Sequence, residues 1–306
     1  MGTYLRATPL GIDQNNILNL DANMNAQAVT QEQLSTGYQI NQPSDNPGAI
    51  GMVLSSNALV DRTTQYLNNA SDGLSFLTQA NSVMNQVASL LDQAEQLVTE
   101  LAGPASQMGT SSAPQQIGLQ LQGIYTSLLS LANQTYVGIP IFGGTTGGNV
   151  AYDSAGNYVG TSTTLSRTVA PGLSLQASVV GSSVFGSGAT GVFGVINQLV
   201  QDANNINAGT NTGLQQLIST DEGKFQDIVQ QVQSQGAMVG SLYQAMQSAQ
   251  QSAQQTQTVL KNQVSNLADV NVAQATTNLQ EEQIAYQAAL YATAQVNKYS
   301  LVQFVA

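Results

Sequence analysis

Two long stretches of this chain keep apolar residues alternately three and four apart, and that spacing limits the fold more than any other feature. In the first, Leu67, Ala70, Leu74, Leu77, Asn81, Met84, Ala88, Leu91, Glu95 and Val98 form a heptad seam, with Asn81 and Glu95 as polar interruptions. Val87, Leu90, Leu97 and Leu101 widen the apolar face, which implies more than one partner helix. In the second, Phe225, Ile228, Val232, Gln235, Val239, Leu242, Met246, Ala249, Ala253, Thr256 and Leu260 repeat the alternation. The spacing predicts helices over 47–102 and 212–267, the second with a capping box from Thr212 and Gln215. A helix of the first length is on the order of 80 Å long. That is a rod, not part of a globule.

The remaining segments fit around these two. Residues 10–34 carry a loose apolar stripe of Ile12, Ile17, Leu20, Met24, Ala28 and Leu34, broken by Gln27 and Gln31. The stripe stops at Gly37. In the loop Pro43-Ser44-Asp45-Asn46-Pro47, Asp45 or Asn46 can cap a helix that restarts at Pro47. Ile117, Leu121, Ile124, Leu128 and Leu131 predict a third helix, and Val192, Val195, Ile196, Leu199, Ala203 and Ile206 a further one. Between them the composition turns to Gly, Ser, Thr and Val. There 150–152 and 157–159 flank Asp153-Ser154-Ala155-Gly156 as a hairpin, and Leu165, Val169, Leu173, Leu175, Val179, Val180 and Val184 predict more short strands. The last segment carries Leu279, Ile284, Tyr286, Leu290, Tyr291, Val296, Leu301 and Phe304.

The expected fold class is mainly α. It is a long antiparallel helical rod with coiled-coil-like seams, a small β insertion at its tip and paired terminal helices. The rod takes 46–135 and 192–267, the insertion 136–191, and the terminal helices 1–45 and 268–306.

Composition removes most chemistry. The 306 residues include 17 acidic and 6 basic ones, for a net charge of −11, and no His or Cys. Triads built on His, Cys nucleophiles, disulfides and His or Cys metal sites are therefore excluded. No cofactor and no metal is expected. Six scattered cations give no footprint for nucleic acid. No apolar run reaches a membrane span, and the N-terminus lacks the apolar core of a cleaved signal peptide. Gly223-Lys224 lacks the upstream glycine of a phosphate loop. The carboxylate pairs Asp221-Glu222 and Glu281-Glu282 read as solvated faces, since neighbours on a helix point apart. Only 8% of the chain is charged, and about forty glutamines supply its polarity instead.

The terminal segments are apolar on one face and poor in charge, so either they pack on each other or fray, or they complete their fold only by packing against neighbouring subunits. With these residues the chain resembles the flagellin superfamily. The stretch from Leu34-Ser35-Thr36-Gly37 through Ile40-Asn41-Gln42 to Asp45 and Pro47 is similar to the signature near flagellin N-termini. Its Pro-Ser-Asp-x-Pro form is closer to the hook-associated branch, found at the hook–filament junction. Leu121-Gln122-Gly123-Ile124, Leu131-Ala132-Asn133, Ile141-Phe142-Gly143-Gly144-Thr145 and Gly181-Ser182-Ser183-Val184-Phe185-Gly186 agree with that branch. Residues 282–304 resemble the family's terminal polymerisation helix.

The resemblance implies a structural adaptor, not an enzyme, exported unfolded by the flagellar type III route and ending outside the cell in the flagellum. It implies a homo-oligomer that meets the other hook-associated junction protein on one side and flagellin on the other, with a cytoplasmic export chaperone beforehand. Subunit contacts would fall on Ile12, Ile17, Leu20, Met24 and Leu34, and on Leu279, Ile284, Tyr286, Leu290, Tyr291, Leu301 and Phe304. The scarcity of charge puts these contacts on apolar faces and on Gln and Asn hydrogen bonds. A flagellin filament subunit and a secreted coiled-coil adhesin or effector are the competing readings.

Overall fold

The computed structural model describes residues 9–103, 113–145, 148, 150–207 and 216–305, with the side chains of 9–13, 218 and 296–305 left out. Its helices are α1 (Pro9–Thr36), α2 (Pro47–Ala102), α3 (Ala113–Ala132), the one-turn α4 (Gly181–Val184), α5 (Val192–Asn207), α6 (Glu222–Ala268) and α7 (Val272–Val305). Among the described residues, four short strands make two antiparallel hairpins. They are β1 (Thr135–Tyr136) with β2 (Ile139–Pro140), and β3 (Ser166–Ala170) with β4 (Leu173–Gln176). The chain is therefore mainly helical, as its periodicity predicts. It divides into two compact units, Arg62–Thr256 and a smaller one of Met1–Asp61 with Gln257–Ala306. Helices α2 and α6 contribute to both.

The larger unit holds one continuous hydrophobic cluster. The α2 face that enters it runs Ala70, Gly73, Leu77, Ala80, Met84, Val87, Leu91, Ala94, Val98 and Leu101. Half of the expected seam is displaced by one residue. Asn81 and Glu95 are exposed, and Leu74 and Ala88 are only half-buried, while Gly73, Ala80 and Ala94 take the buried register together with Val87 of the widened face. The reason is size. Glycine and alanine let another helix come close, and a pattern of large side chains passes over them. Met246 lies over Gly73, with its Sδ 3.1 Å from where a Cβ would stand, and the Met84 methyl lies over Gly236. These pairings make α2 and α6 antiparallel. Helix α6 follows its expected seam from Phe225 to Ala253, beyond which Thr256 is exposed. It begins at Glu222 after a π-turn over Leu217–Asp221, later than expected. Thr212 and Gln215 lie outside the described residues.

Helix α3 packs on α5, antiparallel to it. Gly118 faces Ala203, and Tyr125 meets Phe193 edge to face at 5.7 Å. The β region shares this core. Asn133 at the end of α3 acts as a clasp. Its Oδ1 accepts the N–H groups of Ala151 and Tyr152, both at 2.8 Å, and its Nδ2 donates to the Tyr152 carbonyl at 2.9 Å. The hairpin expected at 150–159 is a single Tyr152–Tyr158 bridge around a turn stitched by Asp153. Asp153 Oδ1 accepts the Asn157 N–H at 2.8 Å and the Ala155 N–H at 3.0 Å. The Asn157 amide foremost holds that carboxyl below its ordinary value. Val179, Val180 and Val184 form no strand. They are buried along the approach to α4 and within it, because a short apolar run fits a buried turn as well as a strand. Outside, Arg167 on β3 pairs with Asp72 at 2.6 Å, and Asn69 donates to the Thr168 carbonyl at 2.8 Å.

Candidate assembly surface

The smaller unit has almost no core. Its buried residues among those described are Thr30, Val53, Ser56, Ala268 and Ala275, all small or medium in size. Within it α1 and α7 pair antiparallel. Thr30 Oγ1 donates to Glu282 Oε1 at 3.0 Å, so Glu282 is half-buried and not fully solvated as its pairing with Glu281 suggested.

The family-like stretch at 34–47 builds the joint from which this pair emerges. Helix α1 stops where Gly37 takes φ = +79°. The Thr36 hydroxyl donates back to the Glu32 carbonyl at 2.9 Å and accepts the Tyr38 N–H at 3.2 Å. Tyr38 then bridges Asp269, between α6 and α7. The Gln39 N–H donates to the Ala268 carbonyl at 2.6 Å, and the Val270 N–H to the Gly37 carbonyl at 2.9 Å. Both terminal helices thus leave from one hydrogen-bonded joint. In the following loop, Asp45 Oδ2 accepts the N–H groups of Asn41 and Gln42 at 2.9 and 2.8 Å. Asn46 is the cap, with its Oδ1 accepting the Ala49 N–H at 3.0 Å, and Pro47 opens α2. Pro43 and Ser44 are exposed.

A Cβ at Gly37 would meet nothing within 4 Å, so the cost of substitution there is backbone strain alone. Gly37→Ala should lower stability by about 1 kcal/mol. The amides of Gln39 and Val270 should exchange with solvent faster. Unchanged exchange at both would show that the joint does not depend on this glycine.

The residues expected at subunit contacts fall into two sets. Ile17 (58% exposed), Met24, Ile284 (67%), Leu290 (43%) and Tyr291 (78%) project from the helices. Leu20, Leu34, Leu279 and Tyr286 are half-buried. The side chains of Ile12, Leu301 and Phe304 lie outside the described ones. Sequence reasoning passed over Leu18, Val29, Met52, Leu54, Val259 and Val272, which are exposed in the same unit. Met52, Val259 and Leu267 also line an open groove with Asn262, Gln263 and Asn266. A second apolar stripe at the start of α2 and the end of α6 was the available signal. It was hidden because those turns read as continuations of the two seams. Most of the large hydrophobic side chains left exposed lie in this smaller unit. Soluble monomers rarely leave such a surface open unless it binds something. Among the described residues no helix is long and apolar enough to cross a membrane.

Comparisons with known proteins agree with this layout. The bacterial flagellin N-terminal helical region matches residues 10–146, and the bacterial flagellin C-terminal helical region matches 223–305. A search of curated proteins gives no match. Among solved structures, a Vibrio parahaemolyticus protein assigned as a flagellar hook-associated protein is similar with a TM-score of 0.65 at 16% identity, over 74% of this chain and 100% of that one. Hook associated protein-3 from Legionella pneumophila is similar with a TM-score of 0.60 at 11% identity, over 70% of this chain and 98% of that one. FlgL from Bacillus cereus gives 0.56 at 19% identity, over 70% and 100%. At these identities the likeness is one of fold. Flagellin regions at both ends, covering the paired terminal helices and the joint between them, establish that the chain belongs to the bacterial flagellin family.

Proposed function

We propose that this protein is the structural adaptor that joins the flagellar hook to the flagellin filament. The observation that carries the reading is the smaller unit with almost no core, which leaves Ile17, Met24, Ile284, Leu290 and Tyr291 exposed on helices that the flagellin regions cover. Residues 1–45 and 268–306 serve as polymerisation helices, 46–135 and 192–267 as the helical rod, and 136–191 as the insertion. Copies of the chain bind one another through the apolar faces, with the other hook-associated junction protein below and flagellin above. A cytoplasmic chaperone holds the chain before type III export, and it works outside the cell. It is building material and not an enzyme. The likeness in fold to hook-associated proteins and the Pro43–Pro47 loop favour the junction over the filament.

Immunogold labelling of intact flagella tests this. Label confined to the hook–filament boundary is the expected result. Deletion of the gene should leave hooks without filaments and flagellin shed into the medium. Label along the whole filament would make the protein a flagellin subunit instead.

A further inference from the structure

Asp221 and Asp202 are the charged residues most deeply buried in the larger unit, 0% and 1% exposed. Asp221 belongs to the π-turn, against the expectation that it faces water beside Glu222. Asp202 projects from α5. We propose that these two carboxyl groups share a single proton and form a pH-sensitive latch that fastens the π-turn, and with it the start of α6, to α5.

The hydrogen bonds leave room for one proton. Gln198 Nε2 donates to Asp202 Oδ1 at 3.1 Å, and Lys224 Nζ donates to Asp221 Oδ1 at 2.8 Å. The remaining oxygens, Asp202 Oδ2 and Asp221 Oδ2, are buried without a partner among the described residues. Two ionised carboxylates are acceptors only and cannot satisfy each other. One proton makes either of them a donor and supplies the missing bond. Among the described residues, nearby charges offer no other remedy. Lys224 is a single cation, half exposed, and already engaged with Asp221. Helix α3, which packs on α5 at Gly118, carries no charged residue, and Tyr125 is its one titratable side chain. On α2, Asp92, Glu95 and Glu100 are exposed.

Burial raises the Asp202 carboxyl to about 6, and the Asp221 charge adds to the rise, while Gln198 and Lys224 oppose it. In the unfolded chain an aspartate titrates near 4. Below about pH 4 both states carry the proton. From there to about 6 only the folded chain holds it, so the stability it confers falls as pH rises through that window and is gone above it.

The test is thermal unfolding of the full chain, wild type and Asp202→Asn, between about pH 4 and 8. An asparagine amide can accept from Gln198 and donate to Asp221 at every pH, so it imitates the shared-proton state. The wild-type unfolding equilibrium should shift by up to about tenfold per pH unit through the window. In the variant that share of the slope should vanish, and at the alkaline end it should outlast the wild type. An unchanged slope, or a variant weaker than wild type at every pH, overturns the latch. If the variant fails to fold, infrared spectra of the wild type decide. A protonated-carboxyl band that survives above about pH 5 in the folded chain and disappears on unfolding supports the shared proton, and its absence rejects it.

Discussion

Ile284→Asp is expected to abolish incorporation into the flagellum while leaving the free chain intact. Ile284 is 67% exposed on α7, so in the free chain the new carboxylate stands in water. An aspartate in a helix interior costs at most about 0.7 kcal/mol relative to the best helix formers. Circular dichroism and the thermal midpoint should therefore barely move. In the proposed assembly the same side chain would be buried against an apolar neighbour with few cations to meet it. Burying an unpaired charge costs several kcal/mol. Each 1.4 kcal/mol is tenfold in affinity, so one contact loses at least about a hundredfold, and every subunit makes it. Gln283→Asp is the control, because it adds the same charge one residue away at an exposed polar position. Motility and flagellar fractionation of the two strains should separate. If Ile284→Asp assembles as well as Gln283→Asp, the α7 face is not an assembly surface.

How far the sequence could be read depended on side-chain size. Large residues gave away α3, α5 and most of α6, because Ile, Leu and Phe at helical spacing leave few other folds. The same habit misplaced half of the α2 seam. Gly73, Ala80 and Ala94 carry that register, and they look neutral in a sequence although they decide how close the helices come. The β region was legible as a change of composition but not as strands. Its order comes from single side chains such as Asn133, whose clasp on Ala151 and Tyr152 joins residues far apart in the chain. Nothing in the local pattern around Asn133 marks it as a tertiary tie. The projecting residues Ile17, Ile284 and Tyr291 could be named because they sit on charge-poor helices. Met52 and Val259 could not, since their helices looked like parts of the rod. Asp202 and Asp221 were invisible for a related reason. Burial of a carboxylate is a tertiary event, and local pattern assigns it to solvent.

Phe185→Ala should be the most damaging change in the larger unit. Phe185 is fully buried where two of the family-like stretches, 141–145 and 181–186, meet. Its ring meets Phe142 edge to face at 5.2 Å, Tyr152 at 5.7 Å, and stacks on Phe193 at 5.7 Å. The backbone around it is equally engaged. Gly181 donates to the Phe142 carbonyl at 2.7 Å, Val192 to the Phe185 carbonyl at 2.7 Å, and the Tyr152 hydroxyl to the Gly186 carbonyl at 2.9 Å. Removing the ring leaves a cavity between partners that cannot close on it without breaking those bonds. Phenylalanine-to-alanine changes of this kind cost about 3–5 kcal/mol. In a unit of this size that lowers the thermal midpoint by about 10 °C. Phe185→Leu keeps most of the volume and should fall between that variant and wild type. The pattern is the reverse of that for Ile284→Asp. The folded chain weakens and becomes sensitive to protease within 136–191, while the exposed faces of α1 and α7 keep their chemistry. A midpoint within about 2 °C of wild type would mean that this aromatic cluster does not hold the β region to the helices.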